Sequence, residues 1–147
     1  MEATLEQAVT ILRRNQLKIT KQRHALLDYL VTYQDHYVAI SAVDDHMRTL
    51  FAGMSHNTIY RNIKEFETLG LLEVKSADNQ TLVKYQCDFE HQHHHHFVCS
   101  NCGRVIELQA CPLDAYEAQL PGCTITGHRM EIYGLCETCT AKQAQAN

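Results

Sequence analysis

Two short cysteine pairs, Cys99-Ser-Asn-Cys102 and Cys136-Glu-Thr-Cys139, constrain this chain more than any other feature. A CxxC step places two thiols on one tight turn, and two such turns supply the four sulfurs that a tetrahedral zinc ion takes. Gly103 follows the first pair and permits the turn in which backbone amides face the thiolates. With four thiolates and no open position the centre is structural, pinning the last strand to the middle of its domain. A redox CxxC has no use for a second copy. In a reducing compartment, closely spaced cysteines bind metal more often than they form disulfides. That compartment is the expected one. The opening MEATLEQAVTILRR carries acidic residues and no apolar signal core, and no apolar run approaches the about 20 residues of a membrane span.

Histidine adds a second signal. Five of the ten histidines fall at His91, His93, His94, His95 and His96. The run is internal, is broken by Gln92 and leads into an apolar strand-like segment, unlike a purification tag. If residues 93–96 are extended, side chains alternate, so His94 and His96 face one way and His93 and His95 the other. One strand can then serve two cation sites. Further ligands must come from elsewhere, and Cys87, Asp88, Glu107, Asp114, His128 and an N-terminal histidine, His36, are the candidates. Cys111 and Cys123 read as small buried residues instead.

Charge separates the two halves. Residues 1–86 carry ten Lys/Arg against ten Asp/Glu, whereas residues 87–147 carry three against seven, which makes up the net −4. The acidic, histidine-rich half suits cations, and the first half suits a phosphate backbone.

The first half reads as helices followed by a hairpin. Leu5, Ala8, Val9 and Leu12 recur at helical spacing over about residues 3–15. Thr20 caps a second helix through Leu26, Tyr29, Leu30 and Tyr33. Ser41 with Asp44 has the pattern of a capping box for a third helix that Gly53 stops, and Ser55 caps a fourth that Gly70 ends. LLEVKS and TLVKYQC are extended runs joined by a turn at residues 77–80. This is the order of a winged helix-turn-helix. Beyond about residue 90, HHFVC, RVIEL and TITGHRMEIYG read as strands, with a short helix at about Leu113–Leu120. The fold expected is therefore α+β: a winged-helix domain over residues 1–86, a hinge at 87–92 and a small dimerisation and metal-binding domain over 93–147.

Opposite its apolar stripe, the fourth helix presents His56, Asn57, Tyr60, Arg61 and Lys64. This is where helix-turn-helix proteins meet the major groove. Arg61 suits a phosphate or a guanine edge, and Tyr60 a phosphate or a thymine methyl. Lys75, Lys84, Arg13, Arg14, Lys18, Lys21 and Arg23 are weaker phosphate candidates. So few cations predict weak binding by a monomer and favour two copies on a palindrome.

The order winged helix, HHHHFVCSNCG, then HRMEIYGLCETC resembles the ferric uptake regulator family over essentially the whole chain. Within that family MSHNTIYRN, KYQCDF, CPLD and GHRMEIYG look most like the zinc uptake regulator branch. The resemblance implies a homodimeric, metal-dependent repressor of palindromic operator DNA, with no small-molecule substrate and no membrane partner. It also implies how the ligands group. Cys87, or Asp88 in its place, would join His94, His96, Glu107 and His36 in a hinge sensor site. His93, His95, Asp114 and His128 would form a second regulatory site. A thiolate among imidazoles favours zinc, whereas nitrogen and oxygen donors alone suit iron or manganese, so Cys87 tilts the hinge to zinc. Iron- or manganese-responsive repression is the alternative. A peroxide sensor ranks lower, because relatives of that kind place an aspartate where this chain has Glu107. No HExxH pairing or nucleophile constellation points to a zinc enzyme.

Overall fold

The computed structural model describes residues 4–86, 89, 94–108 and 111–146. Contacts divide the chain into two units, Met1–Gln92 and His93–Asn147. Among the described residues, no helix is long and apolar enough to cross a membrane.

The first unit opens on helix α1, Leu5–Arg14. Thr4 and Gln7 close a reciprocal capping box, each accepting from the other's backbone amide at 3.2 and 2.9 Å. Helix α2, Lys21–Thr32, starts as the sequence suggests, with the Arg23 amide donating to Thr20 Oγ1 at 3.1 Å. A two-residue strand β1, Val38–Ala39, then leads straight into α3, Ile40–Leu50. Ser41 is therefore inside α3 and caps nothing; Ala39 is the cap residue and offers no side-chain acceptor. The capping box expected from Ser41 and Asp44 is corrected accordingly. Asp44 is buried within the helix, where it faces α4 instead of an amide.

Helix α4, His56–Thr68, takes its cap from Ser55, whose Oγ accepts from the Thr58 amide at 3.2 Å. Strands β2, Leu72–Ala77, and β3, Gln80–Tyr85, follow as an antiparallel hairpin, and β1 adds to the far side of β3. Asp78 and Asn79 both hold positive φ, 51° and 62°, as a two-residue turn matched to strand twist requires. Leu12, Leu26, Leu27, Val43, Met47, Ile59, Phe66, Leu71, Val83 and Tyr85 are fully buried in one core. Each such side chain is stabilised by roughly 1.5–3 kcal/mol relative to exposure. Helices, turn helix and wing are thus one packed body, and α4 is held by its Ile59–Ile63–Phe66 stripe with the opposite face outward.

The second unit is a three-stranded sheet in the order β5-β4-β6. Strand β4, His95–Cys99, is central, with β5, Val105–Leu108, antiparallel and β6, Glu131–Gly134, parallel to it. Helix α5, Leu113–Glu117, precedes β6, and α6, Glu137–Ala146, follows it. Only the end of TITGHRMEIYG is a strand; residues 123–130 hold no regular structure. The unit's buried cluster is Cys99, Cys136 and Cys139, with Phe97 and Leu135 packed against it.

The two serine positions separate cap from interior. Ser55→Ala is expected to cost about 1 kcal/mol through the lost acceptor. Ser41→Ala, inside a helix and exposed, should stay within about 0.5 kcal/mol of the parent. Urea denaturation of the two variants measures the difference.

Candidate metal centres and nucleic-acid interface

The parallel pairing of β4 with β6 brings the two cysteine pairs together. Cys99 lies opposite Gly134 in that register, so both strands deliver a CxxC turn at the same end of the sheet. Ser100 fastens the join, its amide and hydroxyl both donating to the Gly134 carbonyl, at 2.8 and 3.0 Å. A Cβ on Gly134 would stand 3.1 Å from the Phe97 ring, so the close approach suits glycine. Gly103 takes φ +80° to turn the chain from β4 into β5. On the other side, Cys139 sits in the first turn of α6, three residues after Cys136.

The four ligand sulfurs of Cys99, Cys102, Cys136 and Cys139 all lie within 4.8 Å of one another. Cys102 and Cys136 are 3.8 Å apart. That matches the edge, about 3.8 Å, of a tetrahedron with zinc–sulfur bonds of about 2.3 Å. Amides and a carboxamide point at the sulfurs: the Cys102 amide lies 3.5 Å from Cys99 Sγ, and Asn101 Nδ2 lies 3.3 Å from Cys139 Sγ. The Cys102 amide, followed by that of Cys136, holds the Cys99 thiol down to about 6. Cys136 is also lowered, first by the Cys139 amide. Cys102 moves the other way, to about 11; the Arg104 amide lowers it, but desolvation and the surrounding sulfurs outweigh that. A cation entering this cluster displaces the remaining thiol protons, and its binding energy becomes folding energy. The residues present fit a structural zinc ion.

Strand β4 also carries the imidazoles. His94 Nε2 and His96 Nε2 are 2.8 Å apart on one face, as alternation requires. Glu107 of β5 and Glu131 of β6 are the cross-strand partners of His96, so carboxylates flank it on both sides. Glu107 is not within the 4.8 Å ligand grouping of the two histidines, although its register places it beside them. Glu131, absent from the sequence-based ligand set, accepts a hydrogen bond from the Tyr133 hydroxyl. The signal for it was the alternation of HRMEIYG, which puts Glu131 and Tyr133 on one face. Cys87, Asp88 and His93, which the resemblance assigns to the two sites, lie outside the described residues. His36 precedes β1, with Nδ1 2.7 Å from Asp35 Oδ1, and joins no group of three ligand donors among the described residues.

On the opposite face, His95 is 5% exposed. Its Nε2 lies 3.2 Å from His128 Nε2, which in turn lies 3.2 Å from Cys111 Sγ. These three form a ligand group, and Asp114, exposed in the first turn of α5, is not part of it. Cys111 and Cys123 are both exposed, which corrects the expectation that they are buried fillers. Cys111 precedes α5 and Cys123 follows it, and composition alone gave no sign of their exposure.

The α4 face divides into free and engaged groups. Tyr60 is 43% exposed, and Asn57, Arg61 and Lys64 are exposed as well, Lys64 Nζ lying 3.6 Å from Glu67. His56 is exposed but tied back: Nδ1 lies 2.6 Å from Asp44 Oδ2 and Nε2 lies 3.0 Å from Arg48 Nη1. With Nδ1 donating to the buried carboxylate and Nε2 accepting from the guanidinium, the imidazole joins α3 to the start of α4. Asp44 was missed as a positioning residue, and its signal was an acid beside the apolar Val43–Met47 stripe. Two of the weaker phosphate candidates are corrected. Arg23 donates to the Lys18 carbonyl, to the buried Asn62 and to Glu65, at 2.7, 3.3 and 3.2 Å. Lys84 is 1% exposed and donates to the Tyr85 carbonyl at 2.9 Å. Lys75 Nζ lies 3.9 Å above the Tyr37 ring.

A winged helix joined to a unit that gathers sulfur and imidazole donors defines a metal-responsive DNA-binding regulator. The ferric uptake regulator family model matches residues 14–133, and the chain belongs to that family, which comprises transcription regulators and not enzymes. The ferric uptake regulation protein of Staphylococcus epidermidis is 36% identical over 135 residues, covering 92% of this chain and 95% of the relative. Its counterpart in Staphylococcus aureus is 37% identical over 132 residues, covering 90% and 95%. A zinc uptake regulator solved in complex with zinc and DNA shares the fold, with TM-score 0.75, 23% identity and 95% of each chain covered. So does the Helicobacter pylori ferric uptake regulator, with TM-score 0.64, 19% identity, and 94% and 95% covered.

Cys139→Ser should abolish metal retention by the four-sulfur cluster and expose the β4 and β6 backbone amides to exchange. Metal analysis paired with hydrogen exchange reads both. Retention of the ion together with full protection would show that the four sulfurs are not its site.

Proposed function

We propose that the chain is a zinc-responsive repressor that binds palindromic operator DNA as a homodimer in the cytoplasm and controls metal uptake genes. The observation that carries this is an exposed Asn57–Tyr60–Arg61 face on α4 in the same chain as two imidazoles, His94 and His96, already closed to 2.8 Å. The first can read a major groove and the second can hold a cation. In this reading the hinge site takes His94, His96 and Glu107 with Cys87, Asp88 being the alternative donor, and His36 completing the set. A thiolate there selects zinc over iron or manganese.

Dimerisation has its own support. Phe97 is flanked in register by Ile106 and Ile132, which are 38% and 47% exposed, a row of apolar side chains on one face of the sheet. A second copy covering that row would pair the two reading helices and double the cations on the duplex. Loading the hinge then fixes how the two reading helices are presented. Moving from mostly open to mostly closed takes about a 10⁴-fold preference for the closed form, roughly 5.5 kcal/mol, which a multidentate cation site can supply.

Iron or manganese is the second reading, and the names of the staphylococcal relatives, ferric uptake regulation proteins, favour iron. Operator binding titrated against buffered zinc, iron and manganese decides between them; zinc should promote binding at the lowest free concentration. Equal affinity with the sensor sites empty would end the switch model. Cys87→Ser and Asp88→Asn made separately should identify the donor, because only the true ligand's loss abolishes the zinc response. Arg61→Ala should weaken operator binding by about 1–3 kcal/mol if it reads a base.

A further inference from the structure

We infer that Cys111 is a metal ligand: with His95 and His128 it forms a soft, three-donor site for a zinc-like cation, in place of the carboxylate of Asp114. The three donor atoms all lie within 4.8 Å of one another. His95 Nε2 and His128 Nε2 are 3.2 Å apart, close to the edge of about 3.3 Å that two imidazoles make around tetrahedral zinc with bonds of about 2.0–2.1 Å. Cys111 Sγ closes the triangle at 3.2 Å from His128 Nε2. Asp114 is the carboxylate nearest in sequence, yet it lies outside the group.

The surroundings suit a held ion. A cavity of about 170 Å³ is lined by His95, Cys111, Leu113, Tyr116, His128 and Met130. His95 lies on the central strand opposite Leu108 of β5 and is buried, so the sheet sets its backbone position. The thiol comes from the exposed segment before α5, so an ion can enter without opening the sheet. Among the described residues three donors meet here, and the fourth tetrahedral position falls to water or to another donor. Sulfur with two nitrogens disfavours manganese and iron(II), which prefer nitrogen and oxygen sets. On binding, the Cys111 S–H bond breaks, its proton leaves to solvent, and the thiolate electron pair forms the metal–sulfur bond.

This site is independent of whether the hinge controls operator binding, and its test needs no DNA. Full-length protein with the four-cysteine centre filled is treated with iodoacetamide at buffered low and high zinc, and alkylation is read at each cysteine by peptide mass spectrometry. Zinc should slow alkylation of Cys111 at least ten-fold and leave Cys123, also exposed, unchanged. Asp114→Asn and Cys87→Ser should retain that protection. His128→Ala should lose it while Cys99 and Cys136 stay protected, which certifies the fold. Equal rates at Cys111 with and without zinc, or loss of protection in Asp114→Asn, would overturn the assignment.

Discussion

The four-sulfur cluster is the interaction on which the second unit depends. Roughly 55 residues, His93–Asn147, fold around a buried set of Cys99, Cys136 and Cys139, against which, among the described residues, Phe97 and Leu135 pack. A unit of that size has too little apolar surface to bury and normally needs a staple. Here the staple occupies the place where a core would be. Everything else in the unit is attached to the strands it joins: the knuckle turn leads into β5, α6 grows from the second CxxC, and β6 is held beside β4 at the Cys99–Gly134 pair. The first unit needs no such device, since fully buried side chains from Ala8 to Tyr85 form an ordinary packed core.

What the sequence disclosed follows from this difference. In the first unit, periodic apolar residues carry the stability, so periodicity reveals the helices, and Thr20, Ser55 and Gly70 mark their ends. The misreading at Ser41 arose because a serine followed by an acid has the same pattern whether it caps a helix or lies inside one. The strand β1 decided the matter, and two residues are too few to show alternation. In the second unit cysteine replaces periodicity. Helix α6 has no apolar stripe, because sulfur anchors it at Cys136 and Cys139, so it was not anticipated. Residues 123–130 alternate without being a strand, since nothing pairs with them in the sheet.

Among the site residues, those that belong to a local pattern were legible, the cysteine pairs by their spacing and the imidazoles of residues 94–96 by alternation. Alternation along β4 correctly separates His94 and His96 from His95, and register then adds Glu107. Long-range partners carry no local mark. Cys111 stands in a segment without period, and only the fold brings it to His128 and His95. Cations on the surface of the first unit were over-counted for a related reason. A side chain such as Arg23 reads as free in sequence, yet it satisfies Asn62 and Glu65 across 39 and 42 residues.

The placement of three clusters on one strand makes register the quantity that must not slip. Shifting β4 by one residue against its neighbours would turn His95 to the side of Glu107 and Glu131 and send His96 toward His128, because strand side chains alternate with period two. Imidazole chemistry alone does not oppose such a slip, since consecutive histidines are interchangeable as ligands. The cysteines do oppose it. Cys99 must stay opposite Gly134 for its sulfur to reach Cys136 and Cys139, and Ser100 locks that pair with two hydrogen bonds to one carbonyl. The sulfur knot therefore does more than hold a thin domain together. By fixing the end of β4 it decides which histidine faces which set of partners, and so keeps two candidate cation sites distinct on a strand whose own sequence would permit their exchange.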